Sequence, residues 1–311
     1  MKIIHSIAEF HCPEKTIVTI GTFDGVHMGH QKILRNLIKT AKERGKKSVL
    51  LTFFPHPRMV LQKEMDIHLL NTIEEKSILL DQMGLDYLII HPFNKDFSRL
   101  TAIDFVREFL VNKLNTHQLI IGYDHHFGKN REGNIDQLRE YSLLYDFLVE
   151  EIPSQDIDEV SVSSTKIRNA LLSGNLITAN RFLGYNYKLS GKVIRGESFG
   201  SKIGFPTANL EIKESYKLIP KTGVYVIKTL IDHTVFYGMM NIGFRPTFDG
   251  KNKTIEVHLF NFEKDIYGEI ISIEFLCFLR NEKKFNTIET LSKQLSLDKK
   301  NAISYVSNNL S

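Results

Sequence analysis

At 311 residues the chain exceeds the usual single-domain size, so two domains are expected, and its 42% hydrophobic content suffices for two cores. The net charge of +4 is mild, with 22 basic against 23 acidic residues up to Gly184 and 18 against 13 after it. A solvated lysine-rich surface accounts for that excess better than nucleic-acid binding, which calls for a denser basic stripe. Cys12 and Cys277 are the only cysteines, which excludes a disulfide framework and a cysteine zinc site. Cys277 lies in an apolar run and reads as inert packing. No apolar run reaches membrane-span length, and no basic region followed by an apolar signal core opens the chain. The expectation is a soluble cytoplasmic protein without a membrane partner.

The first part alternates strand and helix patterns. Thr16–Thr22 reads as a buried strand, followed from Gly29 by a helix with Ile33, Leu34, Leu37, Ile38 and Ala41 on one face. Gly45 is placed to stop that helix. Ser48–Phe54 is the next strand. Thr72 and Glu75 form a capping box for a helix to about Met83. Tyr87–His91, Gln118–Tyr123 and Phe147–Ile152 read as strands, separated by helices from Thr101 to about Leu114 and from about Ile135 to Leu144. Five strands alternating with helices imply a parallel, Rossmann-like α/β sheet. In such sheets ligands sit at the carboxyl ends of the strands. The loops Phe23–His30, Pro55–Arg58 and Asp124–Asn134 all follow strands and can converge there.

After Gly184 the rhythm changes. Lys188–Ile194, Gly223–Ile231, Val235–Asn241, Thr254–Phe262 and Ile271–Leu279 are strand-like runs separated by Gly and Pro turns. That pattern suggests a small β-barrel. The tail from about Thr287 reads as helix, with Asp298 a candidate second cap. No internal repeat or low-complexity segment occurs.

Two features carry chemistry in the first part. His27 and His30 lie in Gly21-Thr22-Phe23-Asp24-Gly25-Val26-His27-Met28-Gly29-His30, at a predicted helix start. A helix N-terminus offers unpaired N–H groups and the positive end of a dipole, which attract phosphate. No P-loop sequence occurs in the chain. An H-x-G-H alone is weak evidence, since such spacing also arises by chance. Ser163-Ser164-Thr165-Lys166-Ile167-Arg168 adds hydroxyls, a cation and a planar guanidinium fork for phosphate, though it also reads as an ordinary capped helix.

The second part has Gly191, Gly196, Gly200 and Gly204, a spacing that suits a loop against phosphates and equally suits ordinary turns. Thr207 and Asn209 are two apart, so in an extended chain their oxygens point the same way. These are hard ligands suited to Mg²⁺, or else locally bonded turn residues after Pro206. Thr254–Phe262 alternates cleanly, with Ile255, Val257 and Leu259 on one face and Glu256, His258 and Phe260 on the other. Glu256 is either a solvent-facing residue or a general base for an alcohol nucleophile.

Taken together, His27–His30 and Ser163–Arg168 resemble the H-x-G-H and I-S-S-T-x-I-R elements of the nucleotidylyltransferase superfamily. Gly21–His30, Thr52-Phe53-Phe54-Pro55-His56-Pro57, Gly122-Tyr123-Asp124-His125-His126-Phe127-Gly128 and Ser163–Arg168 resemble, in order, the N-terminal module of the bacterial bifunctional riboflavin kinase/FMN adenylyltransferases, the prokaryotic FAD synthetases. His125 stands where that family often has Phe. Gly204–Asn209, Asn241–Phe248, Glu256-Val257-His258 and Phe278-Leu279-Arg280 with Phe285 are similar to riboflavin kinase in order and spacing. Ser201 and Lys202 stand near Gly200 where that family often has Arg.

The resemblance implies an adenylyltransferase domain over 1–184 and a kinase domain over 185–311. It implies ATP, riboflavin and FMN as small-molecule substrates, with Mg²⁺. His27 and His30 would act on the ATP phosphates with Gly21 and Phe23, and Ser164, Thr165 and Arg168 would hold the departing phosphates. Asp24, His56, Asp124, Asn130 and Arg280 are candidate flavin or substrate contacts. In the kinase, Gly191, Gly196, Gly200, Lys202 and Gly204 would form the ATP loop, Thr207 and Asn209 would bind metal, and Glu256 would be the base. His56 otherwise caps a strand end, and Arg280 otherwise anchors the last strand to the terminal helix. The 21 phenylalanines read as core rather than as flavin stackers. The motifs leave three other readings: nucleotidyl transfer to another phosphorylated metabolite with a regulatory barrel, a flavin sensor without turnover, and nucleic-acid binding. The oligomeric state is not legible.

Overall fold

The computed structural model describes residues 1–62, 67–123, 125–153, 162–195, 204–247 and 250–309. The chain divides into two compact units, Met1–Ser164 and Thr165–Ser311.

The first unit is a six-stranded parallel sheet in the order β1-β4-β3-β2-β5-β6. Its strands are β1 (Lys2–Ile4), β2 (Thr16–Ile20), β3 (Lys47–Phe54), β4 (Tyr87–Pro92), β5 (Thr116–Gly122) and β6 (Leu148–Ile152). The sequence pattern predicts five of them. The sixth, β1, is only three residues long, too short to show a period, and it adds an edge by pairing with β4. Alternation along the inner strands splits the core into two layers. Val18, Ile20, Val49, Leu51, Leu119 and Ile121 fill one side. Ile17, Leu50, Leu88, Ile90 and Ile120 fill the other. Each such side chain contributes about 1.5–3 kcal/mol by leaving water.

The helix α1 (Met28–Glu43) lays Ile33, Leu34, Leu37 and Ala41 on the second layer, as its periodicity predicts. Gly45, just past its end, sits at φ +61°, a left-handed conformation that favours glycine. Next come α2 (Pro57–Leu61) and α3 (Ile73–Gln82). The Thr72–Glu75 capping box at the start of α3 is formed in both directions. Thr101 caps α4 (Ala102–Phe105), which continues as a π-helical stretch over Val106–Lys113 and sends Val106 and Leu110 into the first layer. Asn134 caps α5 (Ile135–Tyr145) by accepting from the Gln137 N–H at 3.0 Å.

The second unit begins with α6 (Ser164–Ser173, whose first residue closes the first unit) and α7 (Leu176–Leu183). A closed barrel follows in the order β10-β11-β8-β7-β12-β9. Its strands are β7 (Lys188–Ile194), β8 (Ala208–Glu211), β9 (Gly223–Ile231), β10 (Thr234–Thr247), β11 (Gly250–Leu259) and β12 (Ile270–Arg280). The strand β8, which the pattern leaves as an extended connection, closes the barrel between β7 and β11. A terminal helix, α8 (Ile288–Asn309), packs Ala302, Leu295, Tyr305 and Val306 against Val224, Val226, Met239, Phe260 and Leu276.

One expectation is corrected here. Asp298 does not cap a second helix: it lies inside the continuous α8, 2% exposed. Its carboxylate accepts from Arg280 Nε at 2.9 and 3.0 Å and from Arg280 Nη2 at 2.7 Å. A buried carboxylate needs such a partner, so the tail stays one helix because β12 supplies the charge that a cap would not.

Candidate active sites in the two units

In the first unit the sharp turn after β2 sets the geometry. Phe23 has φ +46° and Val26 has φ +36°, conformations that side-chain-bearing residues, and β-branched ones above all, seldom adopt. Such residues persist only where their surroundings over-determine them. Here Gly21 N–H donates to Leu51 O at 3.1 Å, and a Cβ on Gly21 would meet the Phe23 ring at 2.9 Å. Phe23 itself is buried against the His30 ring, with centroids 4.8 Å apart. Asp24 is 2% exposed, and its Oδ1 accepts from the Leu70 N–H at 2.9 Å. Ser164 Oγ donates to Asp24 O at 2.9 Å, so the start of the Ser163–Arg168 motif meets this turn.

The two histidines follow at the start of α1. His27 is its N-cap: Nδ1 accepts from the His30 N–H at 3.4 Å. In the neutral ring that leaves the proton on Nε2, as a donor. The His27 and His30 rings stack with centroids 3.6 Å apart. His30 Nδ1 is buried with no hydrogen-bond partner among the described residues. Burial, then the charges of His27 and Lys76, hold the His30 pKa well below its ordinary value, so the ring is neutral at pH 7. A neutral His30 stacked on His27 at a helix N-terminus avoids repulsion between two charged rings.

The sequence reading missed Lys76 on α3. Its side chain is 4% exposed, and Nζ donates to Thr22 O at 2.7 Å, inside the same turn. Burial lowers its pKa to about 8, against a raising effect of Asp24. Nothing in the sequence marks Lys76 apart from the solvated lysines around it. Glu75 and Ser77 beside it are buried as well, and that burial is visible only in the fold.

Among the remaining first-part candidates, His56 and Asn130 follow strands at the same carboxyl edge of the sheet. His56 follows β3 and caps α2, its Nδ1 accepting from the Arg58 N–H at 3.1 Å. Asn130 follows β5, exposed, with φ +52°. His125 stacks on Phe127 with centroids 6.1 Å apart. Thr165 is exposed and Arg168 half-buried on α6, the helix that Ser164 begins. Asp124 lies outside the described residues.

The second unit builds a different array. Asn209 on β8 stands directly opposite Glu256 on β11, and Glu256 stands opposite Asn241 on β10. Directly opposed residues of an antiparallel pair share a face, so an amide, a carboxylate and an amide form one row. Thr207 is two residues before Asn209. The row lies outside the barrel: Phe260, on the Glu256 face by alternation, packs in the cluster beneath α8. His258 shares that face. Its ring lies between Phe205 and Phe260, and its Nδ1 is 2.8 Å from Pro206 O, which locates the residue before Thr207. Glu256, Thr207 and Asn209 are each half-buried.

Gly204 precedes Phe205 at φ +82° with open space where a Cβ would stand. Gly191 lies inside β7, where a Cβ would come within 2.6 Å of Glu211 O, so the missing side chain admits the neighbouring strand. Gly196, Gly200 and Lys202 lie outside the described residues. Arg280 stands opposite Val224, tied to Asp298 as above. Among the described residues no group of three His, Cys, Asp or Glu side chains could hold a metal, and no helix is long and apolar enough to cross a membrane.

Comparison with known proteins matches these two units in order. Residues 9–166 match the FAD synthetase family, and residues 183–306 match the riboflavin kinase family. The bifunctional riboflavin kinase/FMN adenylyltransferase of Bacillus subtilis is 36% identical, covering 99% of both chains. Those of Listeria monocytogenes and Escherichia coli K12 are 38% and 33% identical, covering 91% and 96% of this chain and 90% and 96% of their own. A solved structure titled as a macrolide-efflux protein from Streptococcus pneumoniae superposes with a TM-score of 0.88 at 30% identity, covering 100% of this chain and 99% of its own. Two units of this architecture, matched in this order over nearly the full length, place the chain in the family of bifunctional riboflavin kinase/FMN adenylyltransferases.

Proposed function

We propose that the chain makes FAD in two steps, with the kinase module over 185–311 and the adenylyltransferase module over 1–184. The single observation that carries the kinase reading is the opposition of Asn209 and Glu256 across β8 and β11. It brings a neutral oxygen ligand and a carboxylate together on one face. Glu256 takes the proton of riboflavin's terminal hydroxyl as that oxygen attacks the γ-phosphorus of ATP, and ADP leaves. The donor set suits Mg²⁺: a hydroxyl from Thr207 and an amide oxygen from Asn209, with the ion's remaining positions left to waters and phosphate oxygens. When bound, Mg²⁺ would neutralise charge on the transferred phosphoryl group. Gly196, Gly200, Lys202 and Gly204 belong to the ATP side of this site, whereas Gly191, inside β7, serves the packing of the barrel and not the ATP loop.

In the first unit the FMN phosphate attacks the α-phosphorus of ATP, and pyrophosphate leaves. The nucleophile is already an anion, so positioning and charge neutralisation suffice. His27, His30, Gly21 and Phe23 hold the ATP phosphates at the start of α1. Ser164, Thr165 and Arg168 take the leaving phosphates, and Asp24, His56, Asp124 and Asn130 are the candidate contacts to substrate; Arg280, on β12, is a candidate flavin contact of the kinase module. ATP and flavins are cytoplasmic metabolites, and we place the protein there.

Product analysis tests the reading. Purified protein with riboflavin, ATP and Mg²⁺ should give FMN and then FAD, and FMN supplied in place of riboflavin should give FAD directly. Flavin that binds without turnover would refute it.

A further inference from the structure

We propose that Lys76 is a positioning residue for adenylyl transfer, pinning the strained turn that receives the ATP phosphates and setting a positive charge beneath it. The inference rests on the adenylyltransferase reading of the first unit. Three contacts hold the turn around Phe23. Lys76 Nζ donates to Thr22 O on one side of it at 2.7 Å. The Leu70 N–H, in the segment entering α3, holds the Asp24 carboxylate at 2.9 Å. Ser164 Oγ holds the Asp24 carbonyl, also at 2.9 Å. Phe23, between these points, and Val26, two residues past them, keep positive φ, a shape the chain abandons without support.

A lysine is an expensive way to hold a carbonyl. Methionine would fill the space without desolvating a charge, and neutral donors bond carbonyls well enough. What lysine adds is a full charge. The ionisable groups coupled to it are Asp24 in the turn and His30 on α1, the ring on which His27 stacks. Asp24 offsets part of that charge while its carboxylate also holds the Leu70 N–H, and His30 is kept neutral. The cation therefore remains available to the field of an incoming triphosphate, in a site where low dielectric strengthens it. Lys76 touches the turn and acts through it, so its effect falls on the turnover of bound substrates more than on their capture.

The test uses the full-length protein with Lys76→Met, Lys76→Gln and Lys76→Arg. FAD formation from FMN and ATP is followed from pH 6 to 10. Hydrogen exchange over β2, β3 and β5 reports whether each variant keeps the sheet. Wild-type kcat/KM for ATP should fall as pH rises through about 8, the point at which Lys76 loses its proton. K76M should lower kcat at least tenfold at pH 7, with KM for FMN within about twofold, and abolish that alkaline fall. K76Q, which retains a donor without charge, should behave as K76M does. K76R, which keeps both donor and charge and does not titrate here, should retain activity with no alkaline fall. Riboflavin phosphorylation should stay within about twofold throughout. Wild-type kcat in K76M, or a lowered kcat that keeps the alkaline fall, overturns the inference alone. Wild-type protein that makes no FAD overturns the functional reading and the inference with it.

Discussion

Replacing Arg280 by Met should loosen the terminal helix from the barrel. Arg280 places three N–O contacts of 2.7 to 3.0 Å on the Asp298 carboxylate. Asp298 is 2% exposed, and among the described residues it accepts one further side-chain hydrogen bond, from Gln294 Nε2 at 2.8 Å. Removing one partner of such a pair costs about 3–5 kcal/mol, because a charge stays buried without compensation. The Gln294 bond offsets about 1 kcal/mol of this, so a loss of about 3 kcal/mol is expected for R280M. The double variant R280M/D298L removes both charges and should recover to within about 1 kcal/mol of wild type. A two-unit chain is not a two-state system, and there is no tryptophan to report on either unit. Hydrogen exchange of β12 and α8 peptides measures the second unit by itself. A loss under 1 kcal/mol in R280M, or a double variant as unstable as the two single losses added, would refute the account. The same double variant separates anchor from ligand contact: an unchanged KM for riboflavin is expected of an anchor, and a large rise marks direct contact with the flavin.

Glu256→Gln should slow conversion of riboflavin to FMN by about 10²–10⁴-fold while supplied FMN still becomes FAD; chromatography of the flavins decides, and a normal FMN rate would show that Glu256 is not the base. His30→Ala should lower FAD formation by about 10²–10³-fold and leave FMN formation intact, since a preorganised donor is lost from one site only. Normal FAD synthesis in that variant would remove His30 from the mechanism. Lys76 also predicts a pH-dependent stability. Its folded pKa of about 8 lies below the ordinary 10.5, so between these values the unfolded chain binds more protons and stability rises with pH. The charge penalty is complete below pH 8 and relieved by pH 10.5, a change of about 3 kcal/mol in the first unit. Denaturant unfolding followed by thiol labelling of Cys12, which packs against the first unit's core, compares wild type with K76M at pH 7.5 and pH 10.5 and isolates the effect; a difference that stays flat or falls refutes it.

Elements with a period were legible in the sequence. The apolar face of α1, the Thr72–Glu75 capping box and the alternation around Glu256 all appear in the structure as read. Short strands were not: β1 and β8 have three and four residues, and only their pairing partners make them strands. The motif histidines and Ser164 could be placed at one turn because a parallel sheet gathers its loops at one edge. Lys76 could not, since a buried lysine and a solvated one look alike until the chain around them closes. Asp298 was misread for a related reason. Its type suits a helix start, and only β12 reveals that it answers an arginine distant in sequence.

The brevity of β8 has a consequence for the barrel that carries it. This stave is held by two paired positions to β11 and three to β7, whereas β10 pairs with β11 over ten. Local opening follows the bonds that must break, so β8 is the seam at which the ring parts at lowest free energy. Parting there separates Asn209 from Glu256 and leaves the other five strands joined as an open sheet. The ring closes on a latch, and the residue opposite the carboxylate rides on it.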